Sequence, residues 1–280
     1  MQKGLILEGG GTRGIYTAGV LDAFLENNIV FDAVIGVSAG AIHGASYVSK
    51  QKGRSIRYFL KYGKDPRFMS FSSLLKTGDY VGSDFCYHEI PEKLDVYDFE
   101  EFKRTETKFY VTCTNVESGN AEYILMEDMK ADVEYLRASA SLPYVSRLVD
   151  IKGKKYLDGG CSDSVPVKAF EKMGYGRNVI ILTRDPEYRK KSESGKMADI
   201  CYRRFPKFIE RLKERHVAYN DTISYINEKR EKGEVFVIQP QEPLAIGRLD
   251  KSPEKAQMIY DQGYKDGMEN IEQVRKFLEV

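Results

Sequence analysis

The chain lacks any apolar run approaching the roughly 20 residues that a bilayer-spanning helix needs. Histidine is scarce: His43, His88 and His216 are all there is. Cysteine is nearly so, with Cys86, Cys113, Cys161 and Cys201 widely spaced and no C-x-x-C pair. That spacing argues against a zinc site and for reduced thiols in a cytosolic setting. An excess of one charge is also missing. Lysine plus arginine total 43 against 42 for aspartate plus glutamate, a net charge of +1. No global field therefore points to nucleic acid or to anionic membrane. Low-complexity tracts and internal repeats are absent as well. The opening MQKGLILEGG reads as a folded strand rather than a signal peptide, because its apolar part is short and runs into glycines. The expectation is a cytoplasmic protein.

What is there is a chain of 280 residues, 42% hydrophobic, long enough for a sizeable core. Near its start, Leu5–Leu7 form a short apolar run, Gly9, Gly10 and Gly11 follow, and Ile15, Ala18, Leu21 and Leu25 recur at helical spacing. Strand, glycine turn and helix follow in that order. Such a turn offers free backbone N–H groups at a helix N-terminus, which favours negative charge. Gly9, Gly11 and Gly14 satisfy G-x-G-x-x-G, so a dinucleotide pyrophosphate is one reading. The oxyanion of a reacting ester is another, and close packing of strand on helix is a third.

The second strand signal, IVFDAVIGVS, runs into Gly36-Val37-Ser38-Ala39-Gly40 and then a small-residue helix. G-x-S-x-G between strand and helix is the setting of a nucleophile elbow, in which small neighbours let strand and helix pass beside a serine on a sharp turn. Parallel strands joined by a right-handed crossover end on one edge of the sheet, so the glycine loop and Ser38 converge there. Amides of Gly10 and Gly11 could then hold an oxyanion formed when Ser38 attacks a carbonyl. The dinucleotide reading weakens, since the acidic residue it needs at the end of the second strand is missing and Asp32 precedes that strand.

A nucleophilic serine needs a base. His43 falls more than a helical turn beyond Ser38, and packs structurally on this reading. His88 has no distinguishing context, and His216 sits in a charged helical stretch. Asp158, in YLDGG, ends an apolar segment before Gly159 and Gly160. It reads either as an Asp-Gly turn or as a carboxylate brought to Ser38, whose basicity partial burial would raise.

GGGTRG, then GVSAG, then DGG, in this order and spacing, resemble the bacterial patatin-like phospholipases, acyl hydrolases with a Ser–Asp dyad. The resemblance covers Lys3 to about Asp185. It implies Ser38 as nucleophile, Asp158 as base and the Gly9–Gly11 segment as oxyanion hole, with no metal and no cofactor. The segment from Arg137 to Pro143, RASASLP, resembles a small-residue stretch lying near the dyad in bacterial members. Arg13, Gly36, Gly40, Gly159 and Gly160 are expected to support the site. Arg13 either contacts a lipid phosphate or ties the glycine loop to a carboxylate, the second being favoured.

Later strand and helix signals alternate through VTCTNV, the hairpin around Gly153, VPVKAFEKMGY, NVIILTRDP, a long charged helix broken at Pro206, GEVFVIQP and a helical tail. The expected fold is α/β, a three-layer α/β/α sandwich with a largely parallel central sheet, patatin-like. Residues 1–185 are expected to form the catalytic core and 186–280 a C-terminal portion packed on the same domain. The expected partner is a lipid or acyl-ester substrate, with transient membrane-surface contact and no nucleic acid. Aromatic and aliphatic residues between Ser55 and Cys86 could wall an acyl pocket, and the basic 203–215 stretch could rest on anionic lipid. For both, ordinary core and a solvated face are the plainer readings. Two rivals stand beside the hydrolase: a Ser38–Asp158–His216 triad of α/β-hydrolase type, and a non-catalytic protein of this fold that binds a nucleotide or acyl ligand.

Overall fold

The computed structural model describes residues 1–279. Its eight strands are β1 (Lys3–Leu7), β2 (Ala33–Val37), β3 (Lys108–Asn115), β4 (Ala121–Leu125), β5 (Val149–Ile151), β6 (Lys154–Asp158), β7 (Arg177–Ile181) and β8 (Val235–Ile238). Helices α1 (Ile15–Glu26), α2 (Ala39–Val48), α3 (Arg54–Tyr62), α4 (Phe71–Thr77) and α5 (Phe99–Arg104) lie in the first half. They are followed by α6 (Val133–Ser139), α7 (Val167–Lys172), α8 (Lys196–Cys201), α9 (Pro206–Glu231) and α10 (Pro253–Glu279). A wide, π-type helical segment spans Phe85–Leu94 and contains Pro91.

Strands β8, β7, β1, β2 and β3 pair in parallel, in that order. The rest of the sheet is antiparallel and built on β3. Strand β4 pairs with Tyr110–Thr114 of β3, while β2 pairs with Lys108–Thr112 and β6 with Cys113–Asn115. A strand has two edges, so β2 and β6 must share the one that β4 leaves free. They run toward each other along it, and their carboxyl ends meet where Val37 lies opposite Thr112 and Asp158 opposite Cys113.

Alternation along the strands divides the core into two layers. Leu5, Leu7, Val34, Phe109 and Val111 face a cluster containing residues of α1, α2, α3 and α10. Ile6, Ala33, Ile35, Ile180 and Val237 face α7 and α9. The result is the three-layer α/β/α sandwich with a mostly parallel sheet expected from the sequence.

Helix α10 lies backbone to backbone on α1. A Cβ on Gly263 would stand 2.0 Å from Tyr16 O, and one on Gly19 would stand 2.2 Å from Tyr260 O. Only hydrogen fits in this seam. Tyr16 donates to Asp266 at 2.6 Å, Tyr260 to Asp22 at 2.7 Å and Tyr264 to Glu26 at 2.6 Å along the same contact.

Several elements differ from the sequence reading in extent. Helix α6 stops at Ser139, and the small residues beyond it turn toward the sheet. The long charged stretch divides at Pro206 as expected, the proline occupying the first position of α9, where its missing N–H costs nothing. Phe71 and Leu75, considered as pocket wall, are 72% and 88% exposed.

Candidate active site

Ser38 is the residue between β2 and α2. Its backbone has φ 54° and ψ −122°, a conformation that costs an L-residue about 1–3 kcal/mol. The flanking glycines make it attainable. A Cβ on Gly36 would lie 2.5 Å from Ala41 Cα, and one on Gly40 would lie 2.5 Å from Leu7 O. Strand, turn and helix therefore touch through backbone alone. The N–H of Ser38 donates to Ser139 Oγ at 2.9 Å. Its hydroxyl donates to Asp158 Oδ2 at 2.7 Å, with both residues buried.

Asp158 is held by three further hydrogen bonds, and the two glycines after it are held in turn. Its Oδ1 accepts the Gly160 N–H at 2.8 Å, leaving Oδ2 for Ser38. Its own N–H donates to Ser141 O at 2.8 Å, and its carbonyl accepts from Thr114 Oγ1 at 2.8 Å. Gly159 presses on the backbone of β3, where a Cβ would meet Thr112 O at 2.1 Å. Arg215 Nε donates to the Gly160 carbonyl. Residues 137–143 thus reach both members of the pair: Ser139 fixes the backbone of one, Ser141 that of the other.

The glycine loop leaves β1 beside this pair. A Cβ on Gly9 would stand 3.1 Å from Ser38 Cβ, and Gly11 has φ +58°. Glu8 anchors the loop from beneath. Its carboxylate, 3% exposed, accepts from Thr183 N at 2.6 Å, Thr183 Oγ1 at 3.1 Å and Tyr219 OH at 2.8 Å. Burial and then the charge of Glu8 push the Tyr219 phenol up, which keeps it a donor. Across the loop, the Arg248 carbonyl accepts from Thr12 N at 2.9 Å and Thr12 Oγ1 at 3.2 Å. Among the described residues, the N–H groups of Gly10 and Gly11 are not drawn into bonds of this kind.

Ser38 and Gly11 line a cavity of about 620 Å³, within the roughly 300–1,000 Å³ usual for small-molecule sites. Its walls are largely apolar and include Ile42, Tyr58, Phe59, Phe68, Met69 and Ile90. Four of these belong to the Ser55–Cys86 region singled out in the sequence. The wide helix at Phe85–Leu94 supplies more of the wall, and no sequence signal marked it.

The histidines are distributed otherwise than a triad requires. His216 contacts Lys213 O at 3.0 Å, and His88 faces Glu92 and Glu134. His43, read from the sequence as turned away from Ser38, lines the same cavity. Burial holds its imidazole down at about 4, and its Nδ1 has no hydrogen-bond partner among the described residues. Arg13 departs from the expected tie to a carboxylate: it forms no ion pair within 4 Å among the described residues, and its Nε is buried without a partner. In the basic 203–215 stretch, Arg211 donates to Gly119 O and Lys213 pairs with Asp199. No group of three His, Cys, Asp or Glu side chains among the described residues is placed to hold a metal ion. No helix among them is long and apolar enough to cross a membrane.

Sequence motifs had marked Ser38, Asp158 and the glycines, and the geometry brings these together. The 137–143 segment, marked by resemblance, supplies Ser139 and Ser141 beside them, whereas Glu8, Thr183, Tyr219 and Arg248 had gone unmarked. Of these, Glu8 carried a signal, a charged residue wedged between an apolar strand and three glycines.

A family model described as patatin-like phospholipase matches residues 5–171, and one described as a domain of unknown function matches residues 205–279. The chain is similar to the uncharacterized protein YjjU of Escherichia coli, 26% identical over 249 residues, covering 86% of this chain and 69% of that protein. It is also similar to lysophospholipase nte1 of Aspergillus terreus, 28% identical over 294 residues, covering 97% of this chain and 18% of that protein. The crystal structure of VipD from Legionella pneumophila aligns with 97% of this chain and 67% of its own, at 14% identity and a TM-score of 0.47.

Proposed function

The chain belongs to the patatin-like phospholipase family, and on that premise we propose that it is a lipid acyl hydrolase working through an acyl-serine on Ser38, with Asp158 as base. The observation that carries the reading is the buried 2.7 Å hydrogen bond from Ser38 Oγ to Asp158 Oδ2 in the wall of an apolar cavity. The lysophospholipase relatives support the substrate class, a lipid carboxyl ester.

Asp158 takes the Ser38 proton as Oγ bonds to the ester carbonyl carbon. The carbonyl oxygen becomes an oxyanion, held by the amides of the Gly9–Gly11 segment and favoured by the N-terminus of α2. The carbon–oxygen bond to the alcohol breaks, and the departing alkoxide takes the proton from Asp158. Water then attacks the acyl-serine and gives a proton to Asp158. The acid leaves as that proton returns to Ser38 Oγ. The cavity accommodates the acyl chain, and Gly36, Gly40, Gly159 and Gly160 hold the two side chains in register. Residues 1–185 carry the reacting groups and 186–280 brace them. Transient contact with a membrane surface delivers the lipid.

The test is hydrolysis of a short-chain p-nitrophenyl ester, then of a phospholipid panel, by wild type and by Ser38→Ala, Asp158→Asn and His216→Ala, each checked for folding. The first two variants should lose about a thousandfold in rate or more, and His216→Ala should keep its activity. Full activity in Ser38→Ala would end the assignment. Loss of activity in His216→Ala would favour the triad.

A further inference from the structure

One face of helix α9 touches the supports of both Asp158 and the glycine loop. The helix lies wholly outside residues 5–171, in the portion matched by the domain of unknown function. Lys207, Arg211, Arg215 and Tyr219 follow one another at intervals of four, so they share one side of it. Its first turns are set against the end of β3. A Cβ on Gly119, in the turn between β3 and β4, would stand 2.6 Å from Lys207 O, and Arg211 Nε donates to Gly119 O at 3.1 Å.

Farther along, Arg215 and Tyr219 reach two different loops. Arg215 Nε donates to the carbonyl of Gly160, which gives its own N–H to Asp158 Oδ1 at 2.8 Å. Gly160 fits between the two charged groups: a Cβ on it would stand 3.0 Å from Asp158 Oδ1 and 3.4 Å from Arg215 Nη2. Tyr219 OH donates to Glu8 Oε1 at 2.8 Å. The other oxygen of Glu8 accepts from Thr183, and Thr183 in turn lies under the loop, where a Cβ on Gly10 would meet its Oγ1 at 2.8 Å.

Four residues of α-helix advance about 6 Å, and a helix is stiff over that length. The supports of Asp158 and of the glycine loop are therefore fixed relative to each other by one rigid element. The sheet alone does not do this, since β2 and β3 stand between β1, which runs into Glu8, and β6, which ends at Asp158. Arg215 is half-buried, yet no carboxylate lies within ion-pair distance of it among the described residues. An ion pair is thus not what holds it in place, and its Nε bond goes to the turn that carries Asp158.

We propose that α9 is a strut that sets the base against the glycine loop, with Arg215 the positioning residue for Asp158 and Tyr219 that for the loop. The inference rests on the hydrolase reading and gives the C-terminal portion a part in turnover. Neither residue lines the main cavity, so the strut acts on the rate of the chemistry and leaves lipid binding alone.

The test compares full-length wild type, Arg215→Ala, Arg215→Lys, Tyr219→Phe and Ser38→Ala in two ways: kinetics on a p-nitrophenyl ester, and hydrogen exchange of the peptides containing Gly9–Gly11 and Asp158–Cys161. Arg215→Ala should lose about tenfold or more in kcat, with KM held within about twofold. Exchange should rise in the Asp158–Cys161 turn while the strands keep their protection. Tyr219→Phe should lower kcat in the same way and raise exchange at Gly9–Gly11 instead. Arg215→Lys keeps a charged donor of different shape and should fall between wild type and Arg215→Ala; it carries the comparison alone if Arg215→Ala does not fold. Lys213→Ala removes a positive charge that pairs with Asp199 and should match wild type. Wild-type kcat in folded Arg215→Ala, or unchanged exchange at Asp158–Cys161, would overturn the proposal. A fall in kcat accompanied by faster exchange throughout β1 and β6 would reduce Arg215 to general stability, and overturn it equally. Exchange is read without turnover, so it judges the strut even where the ester is not cleaved. Activity in Ser38→Ala would end the hydrolase reading and leave the exchange result standing.

Discussion

Ser139 Oγ lies 2.9 Å from the backbone nitrogen of Ser38 and accepts its N–H, across 101 positions of sequence. Ser139 is fully buried. Ser139→Ala leaves that N–H without an acceptor, at a cost of about 1–3 kcal/mol. It also frees the turn that aims Ser38 Oγ. The expected result is a lower melting temperature together with a fall in kcat on a p-nitrophenyl ester. Unchanged kcat with lowered stability would limit Ser139 to structural support.

The strained backbone of Ser38 gives a second prediction. Both Ser38→Ala and Ser38→Gly remove the hydroxyl, and only glycine relaxes at φ 54°. Ser38→Gly should be more stable than Ser38→Ala by about 1 kcal/mol, and both should be inactive. Chemical denaturation of the two variants measures the difference. Equal stabilities would mean that the turn holds no strain.

His43 makes stability depend on pH in a definite direction. Burial holds its imidazole at about 4 in the folded chain, against about 6.5 when unfolded. Below the unfolded value the unfolded chain takes up a proton that the folded chain refuses. The contribution is therefore complete above pH 6.5 or so and disappears as pH falls toward 4, amounting to roughly 3 kcal/mol. Urea unfolding at several pH values in wild type and His43→Gln checks this, since the difference between the two curves removes the carboxylates common to both. A constant difference would contradict it.

The seam between α1 and α10 predicts sensitivity far from the reacting groups. Gly263→Ala places a methyl 2.0 Å from Tyr16 O, where neither backbone can yield without moving a helix. A stability loss of about 1–3 kcal/mol is expected. Activity should fall with it, because α1 carries the glycine loop. Lys265→Ala, two residues on and 73% exposed, should change stability by less than about 0.5 kcal/mol. Matching behaviour of the two variants would show that the close approach is unimportant.

What could be read from the sequence follows from where the information lies. Ser38, Asp158 and the glycines are marked by local necessity: a turn that only small residues can make looks the same wherever it occurs. The alternation of strands and helices was legible because burial imposes a period on it. The helix boundary at Ser139 was not, because Ser139 ends the helix against Ser38 and the chain beyond it turns so that Ser141 reaches Asp158, and that demand comes from β2 and β6. Glu8, Thr183 and Tyr219 meet only after the sheet has formed, as do Thr12 and Arg248. No spacing rule joins residues so far apart. The wide helix around Pro91 has no periodic signature of its own.

The head-on meeting of β2 and β6 along one edge of β3 also sets an order of events in biosynthesis. Ser38 leaves the ribosome long before Asp158, and the two cannot approach until β3 has docked on β2 and β6 has folded back onto β3. The Arg248 and Asp250 carbonyls that accept from Thr12 come later still. On the proposed mechanism, a chain built this way assembles its reacting pair only after β6 has been made. Fragments that end before β6 carry Ser38 without Asp158, so on that mechanism they lack the base, and connectivity alone keeps them inactive.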